Sequence, residues 1–493
     1  MSRRLPSGSP PPQGRGPGGG ADHMNSIVLL SVLGLGNLFL GFRRSNRLLL
    51  PAAMLMLGVV LTVNFLDWNA GPQSFFHDML VVDNYAVAFT GIVVLTALVL
   101  VPFSQKYVHD GEANLAEYYS LLLFSLVGAI MLVSYNHLLM LFLGIEILSV
   151  AMYVLAGSDK RNLRSNEAAL KYFLMGAFAT GILLFGMALV YGATGTFELQ
   201  NISFAVQNPA NDTLQPMLYI GMLLMLIGIG FKVSAAPFHF WTPDVYEGTP
   251  TFFAAFMSTV VKTAGFAAFL KLLVQAFPAA AAQGLWLPTL TAMCVLTLLI
   301  GNVGAVVQTS AKRMLAYSSV SHAGYLLIAL VAFNGLLEGA SANGIFFYSL
   351  AYSVATVAAF AVLKLVADAR QREDYDGLNG LAKTNPLLAF VLTVAMLSLA
   401  GIPLTGGFFG KFFVFSAAVE QGHIGLVVFA VVMSMVSIYY YLRPVIAMYM
   451  RDADGYAAEA PVPVTAFQSG ALLLLALLTV ALGVLPGVLS GIL

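Results

Sequence analysis

The chain has 493 residues, 59% hydrophobic and 9% charged, with 23 basic and 23 acidic side chains and no net charge. Soluble domains carry about 25% charged residues, so this composition, with a mean hydropathy of +0.85, excludes a water-soluble fold. Neutrality argues against a nucleic-acid binder, which needs a basic stripe. The one cysteine, Cys294, cannot by itself hold an iron–sulfur cluster, build a cysteine zinc site or close an internal disulfide.

Residues 1–23 are rich in Pro, Gly, Ser and Arg and read as a disordered polar tail. They lack the short apolar core and cleavage site of a signal peptide, and Met24 is the expected natural start. The remainder, 24–493, reads as one transmembrane domain. A hydrocarbon core about 30 Å thick needs roughly 20 apolar residues as helix. Such runs lie near 25–42, 48–66, 84–103, 117–135, 137–157, 167–192, 216–240, 250–274, 285–308, 314–334, 343–368, 385–418, 422–449 and 464–486. The expectation is an all-α membrane protein of about fourteen helices, with a tight hairpin at Ser134-Tyr135-Asn136-His137.

Basic residues fall on alternate loops: Arg43, Arg44 and Arg47 after helix 1, Lys160, Arg161 and Arg164 after helix 5, Lys312 and Arg313 after helix 9. The loops at 67–83, 193–215 and 335–342 hold acidic residues and no Lys or Arg. The positive-inside rule then puts the basic loops in the cytoplasm and both termini outside. Two helices five apart are interrupted by small and helix-breaking residues, helix 7 over Gly228–Pro237 and helix 12 over Gly401–Lys411. Paired interruptions in two halves suggest inverted repeats, here helices 4–8 and 9–13.

A charge at helix centre costs about 2.5–3.5 kcal/mol on insertion scales, so each needs a reason. Glu146 lies mid-helix 5 with Ser149 as its nearest polar neighbour in sequence. Lys232 lies beside the helix-7 break, Lys262 at the centre of helix 8, His322 near the middle of helix 10, and Lys411 just after the helix-12 break. Glu167 and Lys171 share one face of helix 6, and Lys171 can reach inward to Glu146 or outward to water. Lys271, Lys364 and Arg443 are nearer helix ends, where snorkelling to the interface is the simpler reading. Asp244 and Glu247, between helices 7 and 8, read as loop or helix-cap residues, with proton collection at an entrance as the alternative. The chemistry these buried groups permit is proton transfer: a lysine out of water holds its proton less firmly, and a carboxylate beside it restores the hold. Moving a charge against roughly 150–200 mV takes about 3.5–4.6 kcal/mol. No Walker loop or dinucleotide fingerprint is present.

The stretch from Glu146 through Lys171, the segment Gly228–Thr251 and the segment Leu399–Phe413 resemble the antiporter-like membrane subunits of proton-pumping NADH–quinone oxidoreductase, respiratory complex I. The resemblance covers nearly all of the chain after Met24. The segment Phe238-His-Phe-Trp-Thr-Pro-Asp244-Val-Tyr-Glu-Gly-Thr-Pro250 is especially similar to the subunit N branch. A lysine at 411, where subunit M has glutamate, and an end at Leu493 without the long lateral helix of subunit L point the same way. The resemblance implies that Glu146 and Lys232 form a coupling pair, that Lys262 is the central lysine, that Lys411 serves the outward half-channel, and that Lys171 matches a helix-6 lysine, which favours its inward direction. It also implies proton movement driven by quinone reduction in partner subunits, with flavin and iron–sulfur clusters in those partners and no cofactor in this chain. The implied neighbours are subunits M, K and J and the lipids of a bacterial inner membrane. The alternatives are a subunit of a multisubunit cation/proton antiporter, which shares the fold, and a non-pumping structural spacer.

Overall fold

A computed structural model describes residues 26–42, 48–104, 115–208, 212–333, 340–452 and 461–488. The polar tail and Arg43, Arg44 and Arg47 lie outside these residues. The long apolar runs fold as helices: α1 (Ser26–Leu40), α2 (Leu49–Leu66), α3 (Asn84–Leu100), α4 (Leu115–Ser134), α5 (Leu138–Ala156), α6 (Leu163–Thr194), α7 (Gln215–Lys232) and α8 (Thr251–Ala276). They continue as α9 (Ala280–Val306), α10 (Ala311–Val331), α11 (Ala340–Arg370), α12 (Pro386–Ala400), α13 (Gly406–Glu420), α14 (Ile424–Met450) and α15 (Ala466–Val484). Twelve helices among the described residues are long and apolar enough to cross a membrane, and α1 and α12 are shorter apolar helices. Predicted helix 12 is thus two helices, α12 and α13, and predicted helices 13 and 14 are α14 and α15.

The break after α7 spans Val233 to Phe240, and that between α12 and α13 spans Gly401 to Thr405. Each holds a non-glycine residue in the left-handed region, Ser234 (φ 63°) and Leu404 (φ 71°). After the first break the chain makes a short helix, Trp241–Gly248, before α8. Inside α8 the residues Met257–Val261 form a π-helical turn immediately before Lys262. Such turns widen a helix locally and recur at functional sites.

Helix α8 is buried along its whole length, and α10 and α11 nearly so. These three form the centre, while α2, α6 and α15 present much of their surface outward. Close approach at the periphery uses small residues, as membrane packing favours. A Cβ on Gly186 of α6 would lie 2.7 Å from the carbonyl oxygen of Gly221 on α7, and the converse approach is 2.8 Å.

The side carrying the acidic loops has structure that hydropathy did not reveal. A two-stranded hairpin pairs β1 (Gln73–Phe75) with β2 (Leu80–Val82), and bridges join Leu80 to Tyr135 and His137 to Glu198. A short amphipathic helix, Leu199–Gln207, buries Leu199, Ile202 and Val206. The predicted turn at Tyr135-Asn136-His137 is present and is tied to both features.

Candidate functional site

Lys232 is the last residue of α7, so the break begins at its own carbonyl. Its side chain is 6% exposed, and its Nζ donates to Ser149 Oγ at 2.7 Å. Ser149 and Glu146 are three residues apart on α5 and share a face. Glu146, partly exposed on the outer surface of α5, exerts its charge on Lys232. The serine is therefore the direct partner of the lysine, and the carboxylate stands one turn away. The ammonium also faces the ring of Tyr172 at 6.0 Å. Tyr172 stacks on Trp241 at 4.6 Å, and Trp241 Nε1 donates to the carbonyl of Phe231 at 3.0 Å, at the very end of α7.

The Trp241–Gly248 helix carries this contact to the centre. Trp241 meets Tyr246 edge-on at 6.1 Å, and the Trp241–Gly248 helix packs on α10, which carries Ser319. Ser319 is the partner of Lys262, whose Nζ donates to its carbonyl oxygen and to its Oγ. Lys262 is 2% exposed and lies 5.8 Å from the ring of Tyr352. An ammonium this deep survives only with such partners.

His322 lies three residues beyond Ser319 on α10, on the same face. Its ring packs on Tyr352 at 4.6 Å. Nδ1 is 2.6 Å from Tyr348 Oη, and Nε2 is 2.9 Å from Tyr441 Oη. Tyr441 is bonded in turn to Ser318. A neutral imidazole donates through one nitrogen and accepts through the other, so the ring joins two hydroxyls across the bundle. Tyr325, one turn further, lies 6.0 Å from His322 and 4.7 Å from Lys411 Nζ.

Lys411 closes the row from α13. It is 5% exposed and donates to the Ala400 carbonyl and to Ser434 Oγ, both at 2.9 Å. The break supplies that carbonyl, since α12 ends at Ala400. Gly401 must be glycine on two counts. Its φ is 83°, and a Cβ there would sit 2.9 Å from Lys411 Cδ. Further hydroxyls, those of Ser349 and Ser353 one turn apart on α11, are buried without hydrogen-bond partners. Among the described residues no cluster of His, Cys, Asp or Glu is arranged to hold a metal.

The family model for the NADH:quinone oxidoreductase/Mrp antiporter transmembrane region matches residues 135–437, a span that contains both breaks and all six candidate residues. NADH-quinone oxidoreductase subunit N of Cytophaga hutchinsonii is 40% identical over 470 residues, covering 95% of this chain and 99% of that one. The chain belongs to the subunit N family of NADH-quinone oxidoreductase. A chain of respiratory complex I from Thermus thermophilus, solved with bound aureothin, superposes with a TM-score of 0.80 at 37% identity, covering 95% of this chain and 99% of that chain. A chain of the Mrp complex from Dietzia shares the fold, with a TM-score of 0.81 at 21% identity, covering 95% and 97%.

An expectation for this subunit N chain needs correction. Lys171 does not reach inward to Glu146. Its Nζ pairs with Glu167 at 2.7 Å and Asp244 at 2.9 Å, on the side of the basic loops. Asp244 also holds Arg313 at 3.0 Å, and Arg313 holds Glu247 at 2.5 Å. Asp244 and Glu247 are thus members of one ion-pair network that ties α6, the Trp241–Gly248 helix and α10 together. Burial alone would raise the Asp244 carboxyl, but its bonds to Lys171 and Arg313 outweigh this and hold it below the usual carboxylate range. A depressed carboxyl stabilises the network at all pH above that range and loses its effect only as pH falls through the lowered value. Asp244 therefore carries no proton near neutral pH. D244N should lower thermal stability slightly and leave the pH profile of activity parallel to wild type across the neutral range, as measured on purified protein.

The basic side chains read as snorkelling are also held within the protein. Lys364 pairs with Asp368 at 2.5 Å, and Arg443 donates to the carbonyls of Val306 and Gln308 at the end of α9. Lys271 is 1% exposed, enclosed by protein rather than reaching outward. Sequence reasoning missed Tyr172, Trp241, Tyr246, Ser319, Tyr348, Tyr352 and Tyr441 as site residues. The one available signal was the dense aromatic and hydroxyl content of the 238–250 segment.

Proposed function

We propose that this chain is the proton-carrying subunit N of a bacterial complex I. It would pass protons from the cytoplasmic, basic-loop side to the outer side when partner subunits reduce quinone with NADH. The observation that carries this is the row of buried neighbours Lys262, Ser319, Tyr352, His322, Tyr325 and Lys411, approached from Lys232 by Tyr172, Trp241 and Tyr246. Every member other than the tryptophan bears a group able to give or take a proton or to hold a bridging water. Glu146 and Lys232 form the coupling pair through Ser149. Displacing the carboxylate changes the hold of Lys232 on its proton, and the change passes to Lys262 and then to Lys411. Lys171 belongs at the entrance on the cytoplasmic side. The two interrupted helices match the inverted-repeat arrangement of helices 4–8 and 9–13. Counting α1 as a crossing and α12 with α13 as another gives fourteen crossings, with both termini outside.

Flavin and iron–sulfur clusters are assigned to partner subunits, and subunits M, K and J are the expected membrane neighbours. Affinity purification of the tagged chain in mild detergent tests the assembly. Co-eluting subunits bearing flavin and iron–sulfur clusters are expected, and an intact complex lacking both would favour the cation/proton antiporter, whose fold this chain shares.

A further inference from the structure

Lys271 lies nine residues beyond Lys262 on α8, about 13.5 Å along the helix axis and half a turn round it. Lys262 faces α10 and α11, whereas Lys271 faces α3 and the turn between α4 and α5. The proton row described above does not include it. Its side chain is 1% exposed, and its Nζ has no hydrogen-bond partner among the described residues. One turn on, Gln275 Oε1 is buried and likewise unpartnered.

The surroundings are not those of a structural ion pair. The ammonium sits 5.9 Å from the ring of Tyr135, and Asp83 stands two residues before Tyr85, whose hydroxyl bonds Ala267 one turn before Lys271 on the same face of α8. The phenols on this face are already committed. Tyr85 Oη donates to the Ala267 carbonyl and Tyr135 Oη to the Ala268 carbonyl, both at 2.8 Å, which fixes the walls without satisfying the amine. Asp83 is the N-cap of α3, where Oδ1 accepts from Ala86 N at 2.8 Å, and it is partly exposed on the acidic-loop side.

A buried amine without a fixed partner is costly as a permanent charge and unnecessary as packing. Its chemistry is to gain and lose a proton. We propose that Lys271 is a second proton-carrying lysine of α8, exchanging protons with the acidic-loop side through Asp83, so that the N-terminal half has its own opening to that side. In the outward step the Lys271 ammonium becomes an amine, the Asp83 carboxylate becomes a carboxyl, and Asp83 then releases the proton to water. The lysine layer at Lys232 and Lys262 resupplies the amine. The inference rests on the proton-carrying reading of the chain.

The test compares K271M and K271R in the assembled complex in closed vesicles. It measures protons moved per electron, with assembly checked by native gel. Methionine keeps the length and removes the amine, whereas arginine keeps the charge and the ring contact but does not release a proton. Both variants should fall to the same lowered ratio. Wild-type pumping by K271R would make Lys271 a fixed charge on Tyr135 and overturn the proposal, and wild-type pumping by K271M would do the same. Should either variant fail to assemble, D83N decides, since asparagine caps a helix as well as aspartate does. A lowered ratio in D83N is expected, and an unchanged one sinks the idea. The proton-carrying reading itself fails only if removing Lys262 also leaves the ratio unchanged, so the two failures are distinguishable.

Discussion

Replacing Lys262 with methionine stops proton movement through this chain while the complex still assembles. The ammonium is 2% exposed and is held by Ser319 alone among side chains that accept from it. Methionine fills nearly the same volume, and such swaps cost under about 1.5 kcal/mol. The Ser319 carbonyl and hydroxyl lose a donor, but a buried charge is removed with it. What cannot be replaced is the proton. Loss of a positioned proton-transfer group slows the step it serves by about 100-fold or more. Vesicles containing K262M should therefore show a reduced proton-to-electron ratio with an assembled complex on native gels. An unchanged ratio would favour the reading of this chain as a structural spacer.

His322 separates relay from packing by a pair of substitutions. In H322L Tyr348 loses its buried partner while Tyr441 keeps Ser318, and the unsatisfied Tyr348 hydroxyl costs about 1–3 kcal/mol. That variant should unfold at lower temperature and cease to pump. In H322Q the amide can still donate to one hydroxyl and accept from the other, so thermal stability should stay close to wild type. An amide does not take up and pass on a proton as imidazole does, so pumping should still fall. Should H322Q pump as wild type, the ring is a packing residue and Lys262 connects to Lys411 by another route.

The depth of Glu146, Lys232, Lys262, His322 and Lys411 was legible from hydropathy alone, because a charge in an apolar run has no other setting. Both interruptions were legible from their glycines and prolines. The partners were not. Ser149 was visible only as a neighbour of Glu146, and its bond to Lys232 joins residues 83 apart. Ser319, Tyr352 and Tyr441 belong to helices α10, α11 and α14, and no local pattern aims them at one another. Lys271 was misread because a predicted helix of 250–274 left it near the end. The helix runs to Ala276, and Tyr85 and Tyr135 cover that end from α3 and the α4–α5 turn. Lys171 was misread because helix periodicity gives its face but not its neighbour, and the neighbour is Asp244 on a separate helix. The β1–β2 hairpin escaped because three-residue strands are too short to show alternation.

A structure of the assembled complex that resolves ordered water tests whether the proton route is continuous. Waters should link Ser149 and Lys232 to Lys262, and His322 to Lys411, with Ser349 and Ser353 among their partners. A dry, apolar gap between Lys262 and Lys411 in every state of the working complex would contradict it.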